Sequence, residues 1–163
     1  MSFVALRAAA FGALIALAPP LSAREPAAVS TAASALSQSA RGAAAVVDAF
    51  HAALRKGDTR SAAAMLAGNA LIFEGGGVER SKAEYASHHL VADAEYTKAV
   101  PAVLTRRAGD AIGTVAWIAS EGRTTGTFRG KAVDRVTAET MILRRIGHDW
   151  KIVHIHWSSA ARP

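Results

Sequence analysis

The chain has 163 residues, which is enough for one ordinary domain and hardly enough for two. It contains no cysteine, so disulfide bonds, a thiolate nucleophile and cysteine-ligated zinc or iron–sulfur sites are excluded. The formal net charge is +6, but the basic residues are dispersed, and neither arginine doublet, Arg106-Arg107 or Arg144-Arg145, has the interleaved aromatic residues typical of nucleic-acid binding. We therefore expect no nucleic-acid partner.

The first 23 residues have the pattern of a secretory signal peptide. A short segment carrying Arg7 precedes an apolar run over residues 8–18, and Pro19-Pro20 then leads to the small-residue cleavage site Leu21-Ser22-Ala23. The apolar run is too short to span a bilayer core of about 30 Å. The sequence thus predicts an exported protein, periplasmic or secreted, without a stable membrane anchor after cleavage.

Composition divides the remainder into a flexible linker rich in Ala and Ser (24–42), a folded domain (43–159) and a short tail (160–163). The domain opens with a predicted helix from Ala43 to Lys56, ended by Gly57. His51 lies within one residue of the apolar stripe of this helix. A half-exposed surface position is favoured for His51 over one that faces the interior.

A second short helix is predicted from Asp58 to Ala67, followed by a strand over residues 70–74 that contains Phe73 and ends at Glu74. The glycines 75–77 lack the Lys and Ser/Thr of a phosphate-binding loop, so they predict a mobile turn. Glu74 ends the strand at this turn and is either a solvated strand end, which is favoured, or a candidate carboxylate for an acid–base site.

Ser81-Lys-Ala-Glu84 is a capping box that predicts a third helix through about Leu90, and Asp93 is a candidate cap for a further turn. Tyr85, His88 and His89 fall at i, i+3 and i+4, so they are predicted to share one face.

The second half of the domain has the pattern of a strand meander. Strands are predicted over residues 100–107, 112–120 and 133–145, with a turn at residues 108–110 and a connection over residues 121–130 that can extend the strands. Trp117 lies on the second of these strands. Helices followed by an antiparallel meander predict the α+β class, with the helices packed on one face of a curved sheet.

The last predicted strand runs from Trp150 to Ser159 and carries two histidines on one face. Alternation places His154 and His156 together, either as core or hairpin histidines or as the lining of a cavity. A turn over residues 146–149 sets Glu139 opposite His156, where a carboxylate raises the basicity of an imidazole. A three-residue turn sets Thr140 there instead, and Glu74 is then the alternative carboxylate.

These features together resemble the nuclear transport factor 2-like (NTF2-like) superfamily, in particular its SnoaL-like and ketosteroid-isomerase-like bacterial members. The resemblance rests on four stretches, Leu54-Arg-Lys-Gly-Asp58, the strand Leu71-Ile-Phe, Glu139-Thr-Met-Ile-Leu-Arg-Arg and Trp150-Lys-Ile-Val-His-Ile-His-Trp-Ser. It implies a conical α+β fold with a deep pocket, often in a homodimer, and members range from isomerases, cyclases and dehydratases to non-catalytic binders. The chain departs from ketosteroid isomerase, whose Asp base works with a Tyr and a protonated Asp, because its first helix has no Tyr.

Three functions remain open from the sequence, none requiring a cofactor. The first is general acid–base catalysis by His154 and His156 with Glu139 or Glu74. The second is binding of a small organic ligand without turnover, with Tyr85, His88, Trp117 and Phe73 as the pocket walls in either case. The third is a metal site that joins His88 and His89 to His154 and His156. A purely partner-binding domain is the further alternative.

Overall fold

The computed structural model describes residues 36–162, which form four helices and six strands. In chain order these are α1 (Arg41–Lys56), α2 (Thr59–Met65), β1 (Leu66–Glu74), β2 (Gly77–Glu79), α3 (Lys82–His88), α4 (Leu90–Ala99), β3 (Ala102–Ile112), β4 (Val115–Phe128), β5 (Lys131–Ile146) and β6 (Asp149–Ala161). The predicted signal peptide and most of the predicted linker lie outside the described residues.

The strands form one curled, open sheet in the order β2-β1-β6-β5-β4-β3. Strands β3 to β6 are the predicted antiparallel meander, and they are longer than predicted because residues 121–128 continue β4. The predicted α+β class is therefore confirmed. One pairing differs from the expectation, since β1 lies parallel to β6 and makes the sheet mixed.

Helix α1 packs its apolar stripe, including Val47, Phe50 and Leu54, into the core. Gly57 ends the helix at φ 75°, a left-handed conformation in which its N–H bonds back to the last turn. Arg55 and Lys56 occupy that last turn, where the partial negative charge of the helix end favours cations.

The core lies between the helices and the inner face of the sheet, which we define by the buried residues Ile118, Met141, Leu143, Ile152 and Ile155. Burial of an aliphatic side chain of this size contributes about 1.5–3 kcal/mol. The opposite side is the outer face, which carries the partly exposed Leu71, Phe73, Trp117 and His154 and the exposed His156.

A β-bulge in β6 changes the predicted faces of the last strand. The hairpin turn is as predicted, with Arg145 opposite Trp150, but the register shifts between Ile142 and Leu143, so that Ile142 pairs with His154 and Leu143 with Ile152. Val153 is the extra residue, and every later side chain of β6 changes face. Glu139 consequently stands opposite Trp157, and His156 stands opposite Thr140.

The turn predicted at residues 108–110 is wrong, because β3 continues through Gly109 to Ile112 and turns at Gly113, where φ is 59°. Gly109 is required inside the strand for close packing. A Cβ atom there would lie 2.7 Å from the Trp117 carbonyl oxygen and 2.7 Å from Ile118 Cδ1.

Candidate functional site

A cavity of about 270 Å³ lies between α1, the start of β3 and the neighbouring strands β4 and β5. One face of α1 contributes Asp48, His51 and Arg55, which recur at intervals of three and four residues. The polar side chains contributed by the strands include Arg107 and Glu139. The cavity therefore joins apolar walls to a small set of ionisable groups, which is the usual composition of a ligand site.

A hydrogen-bonded His–Glu–Trp group lies at this cavity. His51 Nε2 is 2.7 Å from Glu139 Oε2, and Trp157 Nε1 donates to the same oxygen at 2.8 Å. The Glu139 side chain is only 9% exposed and that of His51 is 27% exposed. Among the described residues no donor reaches the other carboxylate oxygen, Oε1, which is also buried.

Glu139 is ionised in this setting although it is buried. Burial alone would raise the pKa of Glu139, but the hydrogen bond and charge of His51, the hydrogen bond from Trp157 and the charge of Arg107 outweigh it and hold the pKa below the ordinary value. Because an ionised carboxylate only accepts, His51 Nε2 carries the proton that they share. In the tautomer that this contact selects, the lone pair of the ring is on Nδ1.

Arg107 is fixed on the sheet side of the cavity. Its Nη1 lies 2.6 Å from Asp48 Oδ1 on α1, and its Nε donates to Ser120 Oγ at 3.2 Å. The Arg107 side chain is 14% exposed, whereas that of Asp48 is 65% exposed. The guanidinium is therefore a largely desolvated charge close to Glu139.

Aromatic rings support Trp157 from the interior. The rings of Phe50 and Trp157 are stacked with centroids 6.4 Å apart, and the Tyr85 ring is also 6.4 Å from Trp157. Such contacts restrict the indole rotamer. Because its rotamer is restricted, Trp157 presents Nε1 to Glu139 at a fixed position.

Tyr85 and Glu74, both predicted site residues, belong to a second polar cluster beside the core. Tyr85 is fully buried and donates to Asp93 Oδ2 at 2.7 Å, and His89 pairs with Glu79 nearby. Burial raises the pKa of Asp93 and of Glu74, and the negative charge of Asp93 adds to the rise at Glu74. None of these residues lines the cavity that contains Glu139.

His154 and His156 lie on the outer face, so the structure does not bring them to Glu139 or to the cavity. Phe73 lies beside both of them, with ring centroids at 5.4 Å from His154 and 6.4 Å from His156. Trp117 lies on the same face and is 41% exposed. Partial burial and the neighbouring His156 lower the pKa of His154. His154, His156, Phe73 and Trp117 were all expected to line a pocket. The bulge in β6 places the two histidines on the outer face instead, and the strand register places Phe73 and Trp117 on that face with them.

The predicted metal site does not form in the part of the chain that the structure describes. No group of three or more His, Cys, Asp or Glu side chains in residues 36–162 is arranged to hold an ion. His88 and His89 are exposed at the end of α3, while His154 and His156 lie on the sheet. Of Tyr85, His88 and His89, which were predicted to share one face, only Tyr85 is buried.

His51 is the residue of the candidate site that the sequence interpretation did not select. It is half-exposed, as expected, and it nevertheless faces the cavity. The available signal was the recurrence of Asp48, His51 and Arg55 on one face of an otherwise Ala-rich helix.

The SnoaL-like domain family model matches residues 43–162, and the chain belongs to this family. A solved structure from Shewanella frigidimarina NCIMB 400, provisionally named a ketosteroid isomerase, is 38% identical with a TM-score of 0.72, and the match covers 76% of this chain and 100% of that one. This relative places the chain among the ketosteroid-isomerase-like proteins of the NTF2-like fold.

More distant structures share the fold alone. A protein from Streptomyces avermitilis, provisionally named a dehydratase of the NTF2-like family, is 17% identical with a TM-score of 0.65, covering 76% of this chain and 98% of that one. The association domain of C. elegans CaMKII is 19% identical with a TM-score of 0.59, covering 71% and 92%. The fold thus occurs both in proteins named as enzymes and in association domains.

Comparison with the curated proteins finds no significant match. Within residues 36–162, no helix combines the length and apolar character needed to cross a membrane.

Proposed function

We propose that this SnoaL-like domain binds a small organic molecule in the cavity at Glu139 and catalyses a proton transfer on it, as an isomerase or a dehydratase does. The observation that supports this most directly is the 2.7 Å contact between His51 and the buried Glu139 at the cavity. A buried carboxylate is rarely the best way to stabilise a core, because desolvation offsets most of the attraction to its partners. Its position at a cavity favours a chemical role.

In the proposed mechanism His51 is the general base and Glu139 its positioning residue. Glu139 holds the Nε2–H tautomer, which leaves Nδ1 to accept a proton from an acidic C–H bond of the substrate. The resulting imidazolium is stabilised by the adjacent carboxylate. Returning the proton to another carbon isomerises a double bond, and delivering it to a departing hydroxyl group completes a dehydration.

The 38% identical relative supports this class of reaction by its name, while the residues differ from the Asp, Tyr and protonated Asp of ketosteroid isomerase. Here His51 on α1 and Glu139 on β5 would divide the work of base and positioning residue. The second candidate function is binding without turnover, which the same cavity also supports.

The test is the isomerisation of 3-cyclohexenone to 2-cyclohexenone, followed by the absorbance of the conjugated product, together with a panel of β-hydroxy ketones for dehydration. We expect the protein to accelerate at least one reaction and His51→Ala to lower kcat/KM by about 10²–10⁴-fold, the usual contribution of a general base. His88→Ala, an exposed histidine outside the cavity, is the matched control and should leave the rate unchanged.

Full activity in His51→Ala would refute the assignment of the base. Probe binding without turnover in the unsubstituted protein would favour the non-catalytic function instead.

We also propose that the chain forms a homodimer through the outer face of the sheet. Leu71, Phe73 and Trp117 are each 38–41% exposed there, although they are large apolar side chains on neighbouring rows of one sheet. Between Leu71 and Trp117 the same row passes through His154 and Ile142, and an exposed face with several large apolar side chains is typical of a protein interface. The fold also occurs in the CaMKII association domain, which supports an assembling role for the scaffold.

A further inference from the structure

We propose that the ligand of the Glu139 cavity is a small amphipathic carboxylate whose anionic end is bound by Arg55. This inference deepens the proposed function and rests on it, because it concerns the same cavity. It follows from the charge pairing of the cavity lining and from the position of its apolar surface.

Most ionisable side chains of the cavity already have partners within the described residues. Asp48 pairs with Arg107 at 2.6 Å, Glu139 with His51 at 2.7 Å, and Glu121 lies 4.0 Å from Arg106. Arg55 also lines the cavity, and within residues 36–162 no acidic side chain lies within ion-pair distance of it. Among the described residues, Arg55 is therefore a cation of the lining that has no acidic partner.

Arg55 is placed to act together with His51. The two residues are four apart on α1 and both line the cavity, so they lie on the same helix face with Arg55 one turn nearer the exposed helix end. A ligand bound between them would have its charged group at the mouth and its reacting group at His51. An arginine suits a carboxylate because its guanidinium can donate two parallel hydrogen bonds.

The third component is an apolar wall beside the two polar ends. Ala102, Val103 and Leu104 line the cavity at the start of β3, and Val103 and Leu104 are 63% and 52% exposed. Large aliphatic side chains with this much exposure at a cavity gain free energy when an apolar ligand covers them. The cavity volume of about 270 Å³ limits the ligand to a small molecule.

The positive charge of Arg55 can also be explained by helix stability alone, without a ligand. A test of ligand binding has to distinguish these two roles. Any cation in the last turn of α1 interacts favourably with the helix end, and Lys56 does so equally. Lys56 does not line the cavity. Lys56→Gln is therefore a matched control for Arg55→Gln, with the same loss of charge on the same helical turn.

The experiment measures binding of 4-phenylbutanoate and of its neutral amide, 4-phenylbutanamide, by calorimetry in low salt. We expect the carboxylate to bind about tenfold more tightly than the amide, as one charge-assisted hydrogen-bonded contact provides. Arg55→Gln should abolish this preference, Lys56→Gln should keep it, and added salt should reduce it.

Equal affinity for acid and amide, or a preference that survives in Arg55→Gln, would overturn the anion assignment and leave the proposed cavity function standing. Binding of neither probe, in a protein that unfolds cooperatively, would overturn both. If Lys56→Gln also lost the preference for the carboxylate over the amide, that preference would come from the electrostatic field of the helix end. This result would likewise overturn the role of Arg55.

Discussion

At the scale of single residues, the burial of the Glu139 carboxylate has a free-energy cost. Both of its donors, His51 Nε2 and Trp157 Nε1, converge on Oε2, and Oε1 has none among the described residues. A buried acceptor without a partner costs about 1–3 kcal/mol. The protein tolerates this cost at the cavity, where a fixed, ionised carboxylate orients an imidazole.

The ionisation of Glu139 predicts how stability depends on pH. Its pKa in the folded state lies below 4.5, so the unfolded chain binds more protons, and the stabilisation is present above the unfolded pKa and lost as pH falls through the folded one. We expect Glu139→Gln to be less stable by about 1 kcal/mol at pH 7, the difference between a charged and a neutral acceptor. The gap should shrink below about pH 4.5.

Urea unfolding from pH 7 to pH 3 measures this gap. Glu121→Gln, whose carboxylate lines the same cavity but is 62% exposed, should change stability little at any pH. A gap for Glu139→Gln that stays constant with pH would show that its charge has no role in stability.

At the scale of elements, the sequence predicted the kinds of structure better than the faces they present. Apolar periodicity located α1, the meander and the final hairpin, because each of these patterns is local. The faces predicted from alternation along β6 are wrong beyond Val153, where the strand has a bulge. A bulge depends on packing across strands, and nothing in residues 150–159 indicates it. Because of this one extra residue, His154 and His156 lie on the outer face, and Trp157 lies beside Glu139.

Gly109 shows the same limit, since a glycine inside a strand and a glycine in a turn look alike in sequence. Its Cβ would meet the Trp117 carbonyl oxygen at 2.7 Å, and that backbone atom is held in the β3–β4 ladder. We expect Gly109→Ala to lower the free energy of unfolding by about 1–3 kcal/mol, as overpacking does.

The control for this prediction is Gly68→Ala in β1, where an added Cβ meets nothing within 4 Å. Chemical unfolding of both variants separates the local clash from the general effect of replacing a glycine in a strand. Similar stabilities for the two variants would contradict a packing role for Gly109.

At the scale of the whole molecule, the sheet is covered by helices on its inner face only, within the part of the chain that the structure describes. The sequence predicts that the face of β6 carrying His154 and His156 either packs in the core or hairpin or lines a cavity. The structure instead leaves His154, Phe73 and Trp117 together on an outer face. A single sequence does not distinguish a cavity lining from an exposed sheet face, because apolar side chains at the two places have the same chemistry.

The homodimer proposed for this face predicts that one charge placed on it separates the subunits. In a two-fold dimer each substitution occurs twice, so Trp117→Glu should weaken association by at least about a hundredfold. Val91→Glu is the control, because Val91 is 56% exposed and belongs to α4, not to the outer face of the sheet. Sedimentation velocity should give twice the chain mass for the unsubstituted protein and for Val91→Glu, and the single chain mass for Trp117→Glu.

A monomeric unsubstituted protein, or a Trp117→Glu variant that still sediments as a dimer, would mean that the outer face is not the contact between copies. The exposed aromatic rows would then have to be explained by another partner.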